Sequence, residues 1–290
     1  MIIPWSSSLA VQWDAYCDTH AKAWFWHRSG WMQYCEQCTD AMIMSFAVIE
    51  NGNIVGICPI ILQDHALMYQ GGPCPEPLYR DADVLKEMLS HLHSLYSAYD
   101  LQSYEYLGCI PEHSSQDISW NTRIIDLYAH SKIEVMNRWL HVRKSYKSLI
   151  NNGYKTHQIE KSTDPRSVEI LHELHLAQSG RDTRTQKTWD YMAAWVQSGH
   201  AYLCLAWNIV GICEGAIYVY SYKGHEYYGH AATSIDNINH ALLWEAIRTS
   251  TANTFETGWQ GHAADKKEES IEFFRRGFGG VNQPMIVTKA

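Results

Sequence analysis

Asn239-His240-Ala241-Leu242-Leu243-Trp244-Glu245-Ala246-Ile247-Arg248, then Phe255-Glu256-Thr257-Gly258, then Phe274-Arg275-Arg276-Gly277-Phe278-Gly279-Gly280 form one stretch whose order decides how the chain folds. The first piece reads as a helix rich in small residues, the second ends a strand, and the third closes another helix. Phe274 and Phe278 stand at i and i+4, a spacing that turns both toward a core. Gly277 and Gly279 suit a helix C-terminus. A strand held between two helices at the edge of a sheet leaves room for a cleft beside it.

The rest of the chain sets bounds on that reading. At 290 residues, it is long enough for one large domain or two ordinary ones, with a substantial buried core. A hydrophobic content of 46% with 19% charged residues excludes a disordered chain. No apolar run approaches the roughly 20 residues of a membrane span. The start, Met1-Ile2-Ile3-Pro4-Trp5-Ser6, lacks the basic and apolar segments of a secretory signal, so a cytoplasmic protein is expected.

The eight cysteines are scattered and read as plain thiols; Cys35-Glu36-Gln37-Cys38 has half the spacing of a zinc site without a second pair. A formal charge of −8 argues against a protein coated for nucleic acid and against a DNA partner. Between Val135 and Ile159, however, Arg138, Arg143, Lys144, Lys147 and Lys155 occur with no acidic residue. Such a run is either a solvated helix face or a phosphate contact for a nucleotide, a coenzyme or a tRNA end. The 12 Trp and 18 Tyr mostly fill a core, and an aromatic-rich cleft also suits a sugar or ribose-bearing ligand.

Asn53-Ile54-Val55-Gly56-Ile57-Cys58 is repeated as Asn208-Ile209-Val210-Gly211-Ile212-Cys213 in the other half. Each copy follows an apolar strand (Ser45 to Glu50; Ala201 to Trp207) and begins another, which points to duplication of a strand–turn–strand unit. Asn51-Gly52 is a hairpin turn signal. Helical material precedes each hairpin, with Asp164-Pro165 as a helix start. The expected fold class is α/β (α+β): two tandem acetyltransferase-like (GNAT-type) domains, each a mixed, mostly antiparallel sheet flanked by helices. The expected domains are 1–135 and 136–290, packed without a flexible linker.

Several motifs together carry a family resemblance that spans the chain. The helix with Trp244-Glu245, the strand Glu256-Thr257-Gly258 and the closing Phe274-Arg275-Arg276-Gly277-Phe278-Gly279 resemble the C-terminal signature of the Fem-type and BioF2-like acyltransferases. Tyr69-Gln70-Gly71-Gly72-Pro73-Cys74-Pro75 resembles that family's Y-G-G-P loop, with Gln70 inserted. Arg143-Lys144-Ser145-Tyr146-Lys147 is similar to its basic R-K-S-x-R segment. The resemblance implies an N-acyl or aminoacyl transferase with its donor site in the C-terminal half. It also implies that aminoacyl-tRNA is a candidate donor, because Fem-type enzymes use it. Where the family has Phe-Lys, this chain has Phe274-Arg275; Arg keeps the charge as a bidentate fork and cannot transfer a proton.

Acyl transfer to an amine needs a donor carbonyl held by hydrogen-bond donors, a neutral amine and a protonated leaving group. A hairpin from Gly215 to Thr233, turning at Lys223-Gly224-His225, is expected to pair Tyr220 with Tyr228 and Tyr218 with His230 on one face. On that face His230 is the candidate base, and Tyr228 or Tyr218 the candidate acid, with Arg275 as the charged group. The alternative is an aromatic packing face with one satisfied histidine. The loop opening the next helix offers Thr233, Ser234, Asn237 and Asn239 to a phosphate, joined by Arg143 and Lys144. That loop lacks the Gly-rich pyrophosphate cradle of coenzyme A-dependent acetyltransferases. His172-Glu173-Leu174-His175 has helical metal-chelating spacing but no third ligand, so no metal is expected. No G-x-S-x-G, Walker loop or dinucleotide fingerprint is present.

Three readings follow. The first is an N-acyltransferase moving an acyl group from acyl-CoA to an amine of a small molecule or amino-sugar. The second is an aminoacyl-tRNA-dependent transferase of the peptidoglycan-bridge type, in cell-envelope or polysaccharide biosynthesis. The third is a silent binding module of the same fold.

Overall fold

The structure is a computed structural model that describes residues 1–63, 66–68, 77–98, 103–107, 115–127, 138–260, 263 and 265–289. The Tyr69–Pro75 loop lies outside the described residues. The chain is α/β and divides into two compact units, Met1–Trp120 with Pro284–Ala290, and Asn121–Gln283. The division therefore falls at Trp120/Asn121, upstream of the expected 135/136. The last residues count with the first unit because their strand pairs there, Val287 opposite Leu107.

In the first unit β1 (Ile2–Pro4) is followed by helices α1 (Ala10–Thr19) and α2 (Ser29–Cys38). Strands β2 (Met42–Ile43), β3 (Phe46–Glu50), β4 (Asn53–Cys58), β5 (Ile61–Gln63), β6 (Ala66–Met68) and β7 (Leu78–Tyr79) come next. Helix α3 (Ala82–Ala98) and β8 (Ser103–Leu107) complete its main run. One sheet has the order β1-β3-β4-β7 and is antiparallel throughout. Its core joins Phe46, Val48, Val55 and Cys58 of the sheet to Val84, Met88 and Leu92 of α3. Alternation in the strands and i, i+4 spacing in the helix put those side chains on facing surfaces.

In the second unit the order is the end of β9 (Ser115–Asp126), α4 (Lys144–Thr156), β10 (His157–Ser162), α5 (Ser167–Ser179) and α6 (Gln186–Gln197). The long strands β11 (Ala201–Asn208), β12 (Cys213–Tyr222) and β13 (His225–Thr233) follow. Then come α7 (Ile238–Thr249), β14 (Thr254–Gln260), α8 (Lys266–Arg276) and the start of β15 (Val281–Lys289). The sheet runs β10-β11-β12-β13-β14-β9. All its neighbours are antiparallel except β13 and β14, which are parallel with α7 as the crossover. Every residue of α7 from His240 to Ile247 is buried, which is why its sequence is mostly apolar, with His240 and Glu245 as the polar exceptions. α4 packs on α7 at Gly153, where a Cβ would stand 2.6 Å from the Ala241 Cβ. The same pair is tied by Glu245, which accepts from Tyr154 and takes both the Nε and Nη2 of Arg248.

The two copies of Asn-Ile-Val-Gly-Ile-Cys are not structural equivalents. In the first unit Asn51-Gly52 makes the turn, and Asn53–Cys58 is free to form β4, with Ile57 and Cys58 fully buried. In the second unit no Asn-Gly precedes the copy, and the turn is built from it. Asn208 Oδ1 accepts from the main-chain N–H groups of Val210 and Ile212, leaving Ile209, Val210 and Ile212 exposed by 94%, 72% and 59%. Among the described residues no helix is long and apolar enough to cross a membrane.

Candidate functional site

The hairpin β12–β13 does not keep the register expected from its sequence. It turns on two residues, Lys223 and Gly224, so that Tyr222 faces His225 and Tyr220 faces Tyr227. Between Val219↔Tyr228 and Tyr218↔His230 the register shifts, leaving Gly229 as the extra residue of a β-bulge. Tyr218 and His230 are opposite each other as expected. Tyr228 is not on their face: it pairs with Val219 and joins the opposite core with Phe255, Ala241 and Phe278. Gly229 is required because the Tyr220 ring lies over it; a Cβ there would stand 2.5 Å from Tyr220 Cε2.

On one face of β13, His230 sits between two partners. Arg184 Nη2 donates to its Nδ1 at 3.1 Å, and its Nε2 lies 3.2 Å from the Tyr220 hydroxyl. An arginine only donates, so Nδ1 accepts and the proton rests on Nε2. Burial first, then the charges of Arg184 and His175, push the imidazole down to about 3. In this arrangement neither ring nitrogen has a free lone pair for an incoming amine proton, so the arrangement does not suit the base role read from the sequence. Tyr218 is fully buried, donates to the Met192 carbonyl at 2.9 Å, and is raised well above its ordinary value by burial. Its proton is committed to that carbonyl.

On the other face, Tyr146, His240, Phe274 and Phe278 form an aromatic cluster beside the start of α7. Tyr146 and His240 have ring centroids 4.4 Å apart, and His240 and Phe274 5.0 Å. Tyr228 approaches Phe274 at 6.5 Å. Burial pushes its hydroxyl up to about 12, against the lowering charge of Arg275, so it stays protonated near neutrality. Arg143 stacks on Phe273 at 3.9 Å and on Tyr146 at 5.0 Å, which puts a cation within one ring of His240. Lys144 is exposed.

Asn237 precedes α7 in the left-handed region; its side chain makes no cap bond, and its carbonyl accepts from the His240 N–H. The Asn239 Oδ1 is buried without a partner. Ser234 is turned away: its N–H and Oγ both donate to the Glu214 carbonyl. Thr233 pairs with Gly215 at the end of the hairpin.

Between the faces lies an opening in the sheet. The parallel ladder of β13 and β14 consists of His225↔Thr254, Glu226↔Phe255 and Tyr227↔Glu256 and then stops. Beyond it β13 continues to Thr233 paired only with β12, and β14 continues to Gln260 paired only with β9. Across this parting residues 228–233 of β13 have no ladder partner in β14, which leaves that edge of β13 open to a ligand. Arg275 stands at this parting. Its Nη1 donates to the Trp259 carbonyl at 3.2 Å, and its guanidinium covers Gly258, where a Cβ would lie 2.8 Å from Cζ. Gly258 has φ +105, a conformation open to glycine and strained for other residues. Arg275 Nε is buried without a partner, and its charge acts on both Tyr227 and Tyr228.

The structure thus brings Arg275 and Tyr228 to the parting, sets His230 and Tyr218 on the far face, and gathers Arg143 with the α7 start. Sequence reasoning missed Arg184 and Trp189. Their only signal was the break after Gly180, which marks a loop between two helices carrying Arg181 and Arg184. The His172 Nε2 is 3.3 Å from Asp182 and its ring stacks on Trp189; among the described residues no group of three potential metal ligands occurs.

No protein-family model matches the sequence, and no curated protein does. Solved structures do match. FemX is similar at a TM-score of 0.63 and 12% identity, over 99% of this chain and 96% of that one. The C-terminal domain of a putative lysylphosphatidylglycerol synthetase from Agrobacterium fabrum gives 0.63 and 10%, over 98% and 92%. L-PGS from Bacillus licheniformis gives 0.58 and 11%, over 88% and 89%. The chain therefore has the fold these proteins share, and the Fem-type resemblance of its motifs holds at the level of fold.

Proposed function

We propose that this protein is a Fem-type acyltransferase that moves an aminoacyl group from the 3′ end of a charged tRNA to an amine. The observation that carries the reading is the parting of β13 and β14 after Tyr227↔Glu256, with Arg275 at its edge. An ester carbonyl laid along the free edge of residues 228–233 meets main-chain N–H groups and a fixed cation, the requirements for stabilising a tetrahedral oxyanion. Tyr228, kept protonated by burial, supplies the proton for the leaving ribose oxygen. The start of α7, without a side-chain cap and with Arg143 stacked on the neighbouring Tyr146, favours a phosphate of the donor. The missing Gly-rich cradle in Ala231–Asn237 and the full-length likeness to FemX favour a tRNA donor over acyl-CoA.

The test is to incubate the purified protein with tRNA bearing labelled amino acids and a set of amine acceptors, and to follow label into the acceptors. Protein-dependent transfer that is lost in Arg275→Ala supports the proposal. Transfer from acyl-CoA alone would replace it with the coenzyme A reading.

A further inference from the structure

The face of β13 that carries His230 lies under α5 and the loop that follows it, and buried hydrogen-bond donors there lack partners. Arg184 gives Nη2 to His230, lays its guanidinium 5.3 Å over the Trp189 ring, and has Nη1 buried with no partner. Trp189 is 3% exposed, and its indole Nε1 is also without a partner. His175, with its ring 5.6 Å from Trp189, buries an unpartnered Nδ1. Among the described residues no carboxylate forms an ion pair with the guanidinium. The nearby Asp182 directs Oδ2 at His172 and Oδ1 at the Arg184 main-chain N–H, and not at the guanidinium.

A partly buried cation set among an aromatic ring, a neutral imidazole and unsatisfied donors is costly to fold unless something negative joins it. A neutral sugar hydroxyl satisfies a donor but leaves the charge; an apolar group satisfies neither. A planar or tetrahedral oxyanion satisfies both, because its oxygens accept several donors and match the guanidinium fork.

We propose that Arg184, Trp189 and His175 form a subsite for one anionic oxygen group, a carboxylate or a phosphate, carried by the acceptor substrate. Its assignment to the acceptor rests on the proposed function. In that reading the donor's phosphate meets the opposite face, by Tyr146 and His240. His230 lies three residues beyond Tyr227, where the ladder ends, about 10 Å along the strand. An acceptor anchored there by its anionic group thus has the length of a small molecule in which to bring an amine to the parting. His230 then acts as a positioning residue that holds Arg184 in place. An anion beside it also opposes the charge of Arg184, which adds to burial in keeping the imidazole neutral.

The experiment follows the histidine ring resonances of the full-length protein at pH 7 by NMR during addition of inorganic phosphate, acetate, or chloride at matched ionic strength. The expected result is a saturable shift of His175 and His230 with phosphate or with acetate but not with chloride, and the anion that acts identifies the group. Arg184→Gln is expected to weaken that response by at least about tenfold, with Arg184→Lys in between. No saturable response to either anion in the unsubstituted protein overturns the proposal, as does an equal response in Arg184→Gln. The first of these outcomes needs no variant to fold. Because the readout needs neither donor nor turnover, an active transferase that binds no anion removes only the subsite. A protein that binds the anion but transfers nothing removes only the transferase reading.

Discussion

Replacing Gly229 with alanine tests the geometry that separates the two faces of the site. The added methyl would meet Tyr220 Cε2 at 2.5 Å, Cδ2 at 2.9 Å and the Tyr218 carbonyl at 3.4 Å. Tyr220 cannot swing away freely: it is buried, and its hydroxyl holds His230 Nε2. Overpacking of this kind costs about 1–3 kcal/mol. A loss of 2 kcal/mol in a unit of this size lowers Tm by roughly 4–8 °C. The assay is thermal unfolding of Gly229→Ala, Tyr220→Ala and the double variant. With the ring removed the methyl has room, so the two substitutions should couple by about 1 kcal/mol or more. A neutral Gly229→Ala, or one equally costly in the Tyr220→Ala background, would refute the claim that ring and bulge determine each other.

Arg275→Ala is expected to lower transfer by about a hundredfold or more while the fold persists, as when one oxyanion donor is removed; Arg275→Lys should retain part of the rate, and an unchanged rate in Arg275→Ala removes the residue from the chemistry. Asp265→Ala takes away the cap that accepts from the Lys267 and Glu268 N–H groups at 2.8 and 2.9 Å, and should cost about 1 kcal/mol in urea unfolding. Amide exchange in α8 that stays as slow as before would contradict this. His230 is neutral when folded down to about 3, whereas the unfolded chain protonates it near its ordinary 6.5. The unfolded state thus binds more protons between those values. The histidine's contribution to stability is full above about 6.5 and falls with decreasing pH, by up to about 1.4 kcal/mol per unit for one proton. His230→Gln should flatten the stability profile between pH 6 and 4, and an identical slope would count against the buried neutral imidazole.

Part of this site was legible in the chain because it depends on local pattern. The run from Asn239 to Arg248, the strand to Gly258 and the helix to Arg276 follow from periodicity and capping over a few residues; both helices stand where they were read, and the strand runs on to Gln260. Phe274 and Phe278 face a core as their spacing requires, with rings 5.3 Å apart. The pairing of Tyr218 with His230 was also read correctly, although by counting from a three-residue turn. Two departures cancel there: the turn is one residue shorter, and the bulge at Gly229 adds one back. Tyr228 lies on the turn side of that bulge, so the same count places it on the wrong face. The repeated hexapeptide misleads for a related reason. Six identical residues take strand geometry after Asn51-Gly52 and turn geometry at Asn208, because the neighbouring turn residues differ.

The sequence by itself determined the identity of the secondary elements around the site, the presence of Arg275 at the end of the closing helix, and the likeness to Fem-type proteins. Those features rest on contacts a few residues apart. Only the tertiary structure decided which strand edges part, that both nitrogens of His230 are held by Arg184 and Tyr220, and that Arg184, Trp189 and His175 converge. Burial and pairing of that kind are set by residues distant in the chain, and one extra residue in a strand reverses which face a side chain occupies.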